Sequence, residues 1–285
     1  MKHVFEDSKE NTSNPVSSTS LLAFWLSLHT FIASFTPVRL ADYVPIDNVE
    51  HVLDVACGPS SWVLDMAHNY RDINFFGIDR DPAMVRYARS TASVSDRNDI
   101  LFAVGNMHAL SPRLDACFDV VHARFVKEAT AMRQWPTLLK GLLRLCRPGG
   151  YVILTECNYP VTSRTACQHL FDLLQQAIVE IGGTPNLPTG IEALARNSGW
   201  CEVRSSVTSL ALSAQTPAYA VLLSQLEPLL SIAEQFLLRI CSKAAFARLR
   251  RAVIAELYDE TFSSTWSLNT LVGRREDVPY IEKHK

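Results

Sequence analysis

Asp54 and Asp79 stand 25 residues apart, each closing a short apolar run, and Gly58-Pro59 breaks the chain just after the first of them. A buried parallel strand that ends in an acid and then turns tightly brings backbone close to a ligand. An acid at the tip of the next strand can accept two hydrogen bonds from ribose hydroxyls, so the pair points to a nucleotide-like molecule. His122, Glu156 and Tyr159 lie at or just beyond the ends of two later apolar runs. A neutral imidazole there can take a proton from a hydroxyl, phenol or amine, and Glu156 or Tyr159 can orient a substrate. A histidine bonded to neighbouring backbone is the plainer reading of His122.

The elements that must position these residues follow from the pattern. Short apolar runs predict strands at 51–56, 73–78, 100–104, 118–122 and 150–156, with helices at 61–70, 82–92 and 136–146. Strands alternating with helices of this length argue for a parallel sheet covered on both faces. Arg147-Pro148-Gly149-Gly150 reads as a turn before the fifth strand. Beyond Pro160 a helix over 164–181 stops at Gly182-Gly183, a short helix covers 189–197, and strands are expected at 201–212 and 262–273. Between these strands, 216–257 is helical in pattern. Leu222, Leu226, Leu229, Ala233, Phe236 and Ile240 recur at three- and four-residue spacing, as one apolar face of a long helix.

Composition narrows the partners. The chain has 285 residues, 48% of them hydrophobic, with a formal charge of -2 and a pI near 6.4. That is enough apolar residue for a large core, and no global basic field exists to hold duplex nucleic acid. Lys243, Arg248, Arg250 and Arg251 read as a solvated helix face. Seven cysteines form no metal-ligand spacing, and their odd number fits reduced thiols in a cytoplasmic protein. Residues 21–35 are apolar but too short to span a bilayer, and are read as a cap helix over 19–35 ending before Pro37. Residues 1–18 read as a disordered leader.

Five ordered motifs over residues 50–160 resemble class I S-adenosylmethionine-dependent methyltransferases of the small-molecule type, the group that includes ubiquinone and menaquinone biosynthesis. They are Val-Leu-Asp-Val-Ala-Cys-Gly-Pro-Ser (52–60), Gly-Ile-Asp-Arg-Asp-Pro-Ala-Met (77–84), Val-Gly-Asn-Met-His-Ala-Leu (104–110), Phe-Asp-Val-Val-His-Ala-Arg-Phe-Val (118–126) and Leu-Leu-Arg-Leu-Cys-Arg-Pro-Gly-Gly-Tyr-Val (142–152). The resemblance implies S-adenosylmethionine as cofactor, with S-adenosylhomocysteine as product. It assigns Asp54, Ala56, Cys57 and Gly58 to the methionine end and Asp79 to the ribose. Arg80, Met84, Asn106 and Met107 go to the adenine, and His122 to the neighbourhood of the sulfonium. The family usually has glycine where this chain has Ala56 and Ser60.

The implied fold is α/β: a Rossmann-like, seven-stranded, mostly parallel sheet with helices on both faces and the last strand antiparallel beside the fifth. The organisation expected is a cap at 19–45, the sheet domain at 46–213 and 261–285, and a helical lid at 214–260. Phe24, Trp25, Phe31, Leu222, Leu226 and Phe236 are candidate lid residues around a small, largely apolar methyl acceptor of secondary metabolism. No metal is implied, and the apolar face of 216–240 also suits a homodimer. Because the sulfonium is an activated leaving group, alignment carries most of the chemistry. A protein that binds the same cofactor but catalyses a rearrangement without methyl transfer shares every motif, as does a non-catalytic module that keeps the fold. A dinucleotide oxidoreductase fits worse, because the full G-x-G-x-x-G is missing.

Overall fold

The computed structural model describes residues 18–35 and 39–277. The leader expected at 1–18 therefore lies outside the described residues, apart from Ser18 at the start of the first helix, and so does the stop at Pro37. Seven strands, β1 (His51–Val55), β2 (Asn74–Asp79), β3 (Leu101–Val104), β4 (Phe118–Arg124), β5 (Cys146–Thr162), β6 (Trp200–Ser213) and β7 (Ser263–Arg275), form one sheet in the order β3-β2-β1-β4-β5-β7-β6. The first five are parallel, and β7 runs antiparallel between β5 and β6. That is the sheet the motifs implied.

The strands read as unbroken apolar runs because both faces are covered. Leu53, Val55, Val121 and Ala123 point to one face, under α4 (Trp135–Leu145) and α6 (Ile191–Asn197). Val52, Val120 and Ile153 point to the other, under α2 (Ser61–Asn69) and α3 (Pro82–Val94). Strand side chains alternate between faces, so each neighbour serves a different core. Helix α4 buries Trp135, Leu138, Leu139, Leu142 and Leu145, each worth about 1.5–3 kcal/mol relative to exposure. The Arg147–Gly150 segment is not a free turn: it forms the irregular start of β5, where the register shifts between Phe118 and Val120.

A second core lies to one side, built from α1 (Ser18–Ala33), α5 (Thr165–Glu180) and the helices between β6 and β7. The long helix expected there is three: α7 (Pro217–Ser224), α8 (Leu226–Leu237) and α9 (Lys243–Leu257). Pro228 explains the first break. It has no N–H to offer the Ser224 carbonyl, and its ring would collide with that carbonyl in a continuous helix. The chain resets at Gln225, with φ -99° and ψ 5°. The apolar face of α8 is consumed internally, since Leu226, Leu230, Ala233 and Leu237 are buried against this core.

Candidate active site

The loop from β1 to α2 carries unusual backbone. Ala56, Gly58 and Ser60 all take positive φ, at 59°, 55° and 65°. Glycine accepts this freely, whereas a residue with a Cβ loses roughly 1–2 kcal/mol. The two positions where this chain departs from the family's glycines are thus the two non-glycine residues of this loop held left-handed. Ser60 is fully buried, and its hydroxyl finds no partner among the described residues. What holds the loop is Asp79 at the tip of β2. Its Oδ2 accepts from the Gly58 N–H at 2.8 Å, and its Oδ1 accepts from the Asp81 N–H at 2.8 Å. Burial raises the Asp79 pKa, against the two backbone donors that favour its charge. Asp81 in turn caps α3 by accepting from the Ala83 N–H at 2.8 Å.

Asp54 at the end of β1 is buried and bonded to His122 of β4, with Oδ1 2.8 Å from Nδ1. The two residues sit opposite one another in the β1–β4 register. A carboxylate oxygen accepts, so Nδ1 carries the proton. The indole of Trp62, from α2, stacks on the imidazole at 3.7 Å between centroids. Burial lowers the His122 pKa and outweighs the pull of Asp54, so the ring is neutral at pH 7. His122 therefore orients Asp54 from behind.

Both tips open into a cavity of about 960 Å³. Its cofactor end is walled by Asp54, Ala56, Cys57, Gly58, Asp79, Arg80, Met84, Asn106 and Met107, the same residues that the resemblance assigned there, apart from His122. Two buried polar atoms in this wall, Asp81 Oδ2 and His108 Nδ1, have no partner among the described residues. Buried polar groups are normally satisfied, so these atoms suit a ligand with hydrogen-bonding groups of its own. Space above Gly58 is open too: a Cβ there would meet only Trp25 Cγ at 4.0 Å. These features fit a nucleoside with an amino acid tail, as in S-adenosylmethionine.

The other end is walled by α1, the segment after β4, the turn just before α4, the loop after α5 and the end of α8. Trp25 stacks on Phe125 at 6.3 Å, and Phe236 adds a second aromatic wall. Of the candidate lid residues only these two, Trp25 and Phe236, reach the cavity. Phe31, Leu222 and Leu226 are buried in the second core, and Phe24 packs edge-on against Trp25. Gly183 lets the loop after α5 close over Glu128, since a Cβ there would collide with the Glu128 carbonyl oxygen.

Beneath this end sits a buried charged group. The Lys127 ammonium is paired with Glu128 and lies 5.0 Å from the centre of the Tyr159 ring. Burial opposes the Lys127 charge, but the paired Glu128 carboxylate outweighs it and raises the pKa. Glu156 Oε1 accepts from the N–H groups of Val126 at 2.7 Å and Lys127 at 3.1 Å, while Oε2 is buried without a partner. Burial pushes the Glu156 pKa up to about 8, so its proton sits on Oε2 at neutral pH. The Tyr159 phenol is also raised by burial and stays protonated.

None of the three residues read from sequence as catalytic forms part of the cavity wall. His122 is bonded to Asp54, Glu156 pins the turn after β4, and Tyr159 underlies Lys127. The strand ends expected at 122 and 156 fall short: β4 runs on to Arg124 and β5 to Thr162, so all three residues lie within strands, where their side chains bond or pack inside the fold. Sequence reasoning missed His29, Arg124, Glu128, Arg133 and Arg239, which do line the cavity. Arg124 was inside a quoted motif, and Glu128 lies two residues past its end. Arg239 had no sequence signal beyond its place near the end of an apolar helix.

Comparison with known proteins agrees with this geometry. Residues 46–195, more than half of the chain, match the model of a methyltransferase domain family. Demethylmenaquinone methyltransferase of Lactococcus lactis is 26% identical over 166 residues, covering 56% of this chain and 62% of that protein. Trans-aconitate 2-methyltransferase of Escherichia fergusonii is 40% identical over 163 residues, covering 50% and 62%. The chain thus spans under two thirds of the curated relatives it matches first. In fold, it resembles phosphoethanolamine N-methyltransferase 2 of Haemonchus contortus, solved with phosphomonomethylethanolamine and S-adenosylhomocysteine. The TM-score is 0.58 at 18% identity, with 91% of this chain and 58% of that one covered. The [4+2]-cyclase SpnF gives 0.53 at 16% identity, covering 95% and 88%. With the sheet order, the loop at the β1 tip and more than half its length in agreement, the chain belongs to the methyltransferase domain family.

Proposed function

We propose that this protein transfers the methyl group of S-adenosylmethionine to an oxygen, nitrogen or carbon nucleophile of a small acceptor. The observation that carries the reading is the Asp54 and Asp79 pair at adjacent strand tips, opening with the left-handed loop into one cavity. When bound, S-adenosylmethionine supplies a methyl group already activated by its sulfonium. Asp54, fixed by His122, and the N–H groups of the loop would hold the methionine end. Asp79 has a free lone pair on each oxygen for the ribose hydroxyls, and Arg80, Met84, Asn106 and Met107 surround the place for the adenine.

The acceptor would enter between α1 and α8, against Trp25, Phe125 and Phe236. Since the chemistry needs in-line approach above all, these walls contribute by restricting orientation and excluding water. Among the described residues that line this end Glu128 is the carboxylate, and its buried Oε2, without a partner among them, suits a donor on the acceptor. Curated relatives support a small-molecule acceptor, and matches to proteins named secondary metabolism regulator laeA support a place in secondary metabolism. The seven unpaired thiols fit a reducing, cytoplasmic compartment. Among the described residues no helix is long and apolar enough to cross a membrane.

The test is methyl-labelled S-adenosylmethionine offered with quinols and with carboxylic acids. Label is expected in an extractable product and S-adenosylhomocysteine in equal amount. Cofactor binding with label in no acceptor would instead favour the rearrangement reading.

A further inference from the structure

We propose that the acceptor carries an anionic group, a carboxylate or a phosphate, and that Arg124, Arg133 and Arg239 recognise it. This rests on the acceptor site described above and names its substrate class. The three arginines come from separate elements. Arg124 ends β4, Arg133 lies in the turn just before α4, and Arg239 follows α8, yet all three line the acceptor end of one cavity.

Among the described residues, none of the three is held in an ion pair. Among the described residues, neither Arg133 nor Arg239 has a side-chain hydrogen bond or ion pair. Arg124 makes no ion pair among the described residues: its Nη2 lies 3.4 Å from His29 Nδ1 and its guanidinium 5.1 Å from the centre of the Phe125 ring, while Asp54 and Asp65 act on its charge only at longer range. His29 Nε2 is 2.9 Å from Asp65 Oδ2, so the proton belongs on Nε2 and Nδ1 presents a lone pair to Arg124. Glu128, the acid among the described residues that lines this end, is already paired with Lys127. Helix α4 starts immediately behind the wall formed by residues 131–134, and its positive end adds to the same field.

Guanidinium binds carboxylate and phosphate through a planar fork, which gives orientation as well as affinity. Trp25, Phe125, Met132 and Phe236 supply apolar surface next to this fork. The acceptor that fits has an apolar body and one acidic end, which amends the largely apolar acceptor expected from sequence. Holding that end while the body packs on the aromatic walls would fix the nucleophile for in-line approach.

The test is calorimetric titration of protein saturated with S-adenosylhomocysteine. The probes are 4-phenylbutyrate against its amide, and phenyl phosphate against phenol, so that the two arms separate carboxylate from phosphate recognition. At least one acid is expected to bind about tenfold or more tighter than its neutral counterpart, and to weaken as salt is added. In the Arg133→Gln/Arg239→Gln variant that preference should fall about tenfold, with S-adenosylhomocysteine affinity unchanged as evidence of a folded cofactor end. Acids binding no better than their counterparts, or unaffected by the double substitution, overturns the proposal. Absence of any heat with S-adenosylhomocysteine is a separate result, which would sink the cofactor reading instead.

Discussion

The two ends of the cavity are built on opposite terms. At the cofactor end, polar groups are tied to the fold before a ligand arrives: Asp54 to His122, Asp79 to two backbone N–H groups, and the loop to left-handed angles at Ala56, Gly58 and Ser60. At the acceptor end the aromatic walls are set, but Arg133 and Arg239 are exposed and have no partner among the described residues. A pre-ordered end suits a ligand that never varies, because its ordering entropy is lost on folding and not on binding. An end of long, unpaired side chains leaves specificity to residues that can change without disturbing the fold.

The sharpest way to break this contrast is at His122. Alanine there would remove the donor to a buried Asp54 and the ring beneath Trp62, at a cost of about 3 kcal/mol by urea denaturation. Phenylalanine would keep the stacking and isolate the hydrogen bond. A loss under about 0.5 kcal/mol would mean that Asp54 is not held as described.

Next comes pH. Glu156 is ordinary when unfolded and raised to about 8 when folded, so the folded state binds the extra proton between those values. Its contribution to stability is therefore present in mild acid and lost as pH rises toward 8. His122 acts in the other direction: its folded pKa is lowered, so stability falls as pH drops below its unfolded value of about 6.5. Glu156→Gln should remove the alkaline loss, about 2 kcal/mol between pH 6 and 9, and leave the acid limb in place. Urea midpoints across that range check it, and an unchanged alkaline limb would contradict the burial argument.

A smaller effect is expected at Ser60. Ser60→Gly removes a strained φ and a buried hydroxyl without a partner, against the extra entropy of glycine in the unfolded chain. The net gain should be about 1 kcal/mol in thermal or urea unfolding. Smallest is Arg80→Ala. Arg80 is exposed at the adenine end, and its loss should weaken S-adenosylhomocysteine only about two- to fivefold.

Legibility in the sequence follows the same divide. The cofactor end was readable because its residues sit in short contiguous motifs whose spacing is set by strand, turn and helix lengths. Asp54 through Gly58 and Asp79 through Met84 each occupy one loop and the adjoining strand tip or first helical turn. The acceptor end gathers residues from positions 21–29, 124–134, 181–183 and 236–239, and only the packing of the second core brings them together. Periodicity told that 216–257 is helical, but one apolar face looks alike whether it lines a chamber or fills a core. Leu222 and Leu226 fill the core. Pro228 marks the break, but the regularity of the leucines around it hides it. His122 and Glu156 show the other limit: read as strand tips, they lie inside longer strands that run on to Arg124 and Thr162, because the sequence marks where a strand exists better than where it ends.

The central claim is that one cofactor spans the tips of β1 and β2. Its most direct test is calorimetric titration of the wild-type protein and of Asp79→Asn with S-adenosylhomocysteine. The account predicts saturable one-to-one binding by the wild type, weakened about tenfold or more in the variant through loss of charge-assisted hydrogen bonds to the ribose. No binding by the wild type, or equal binding by both, would contradict it.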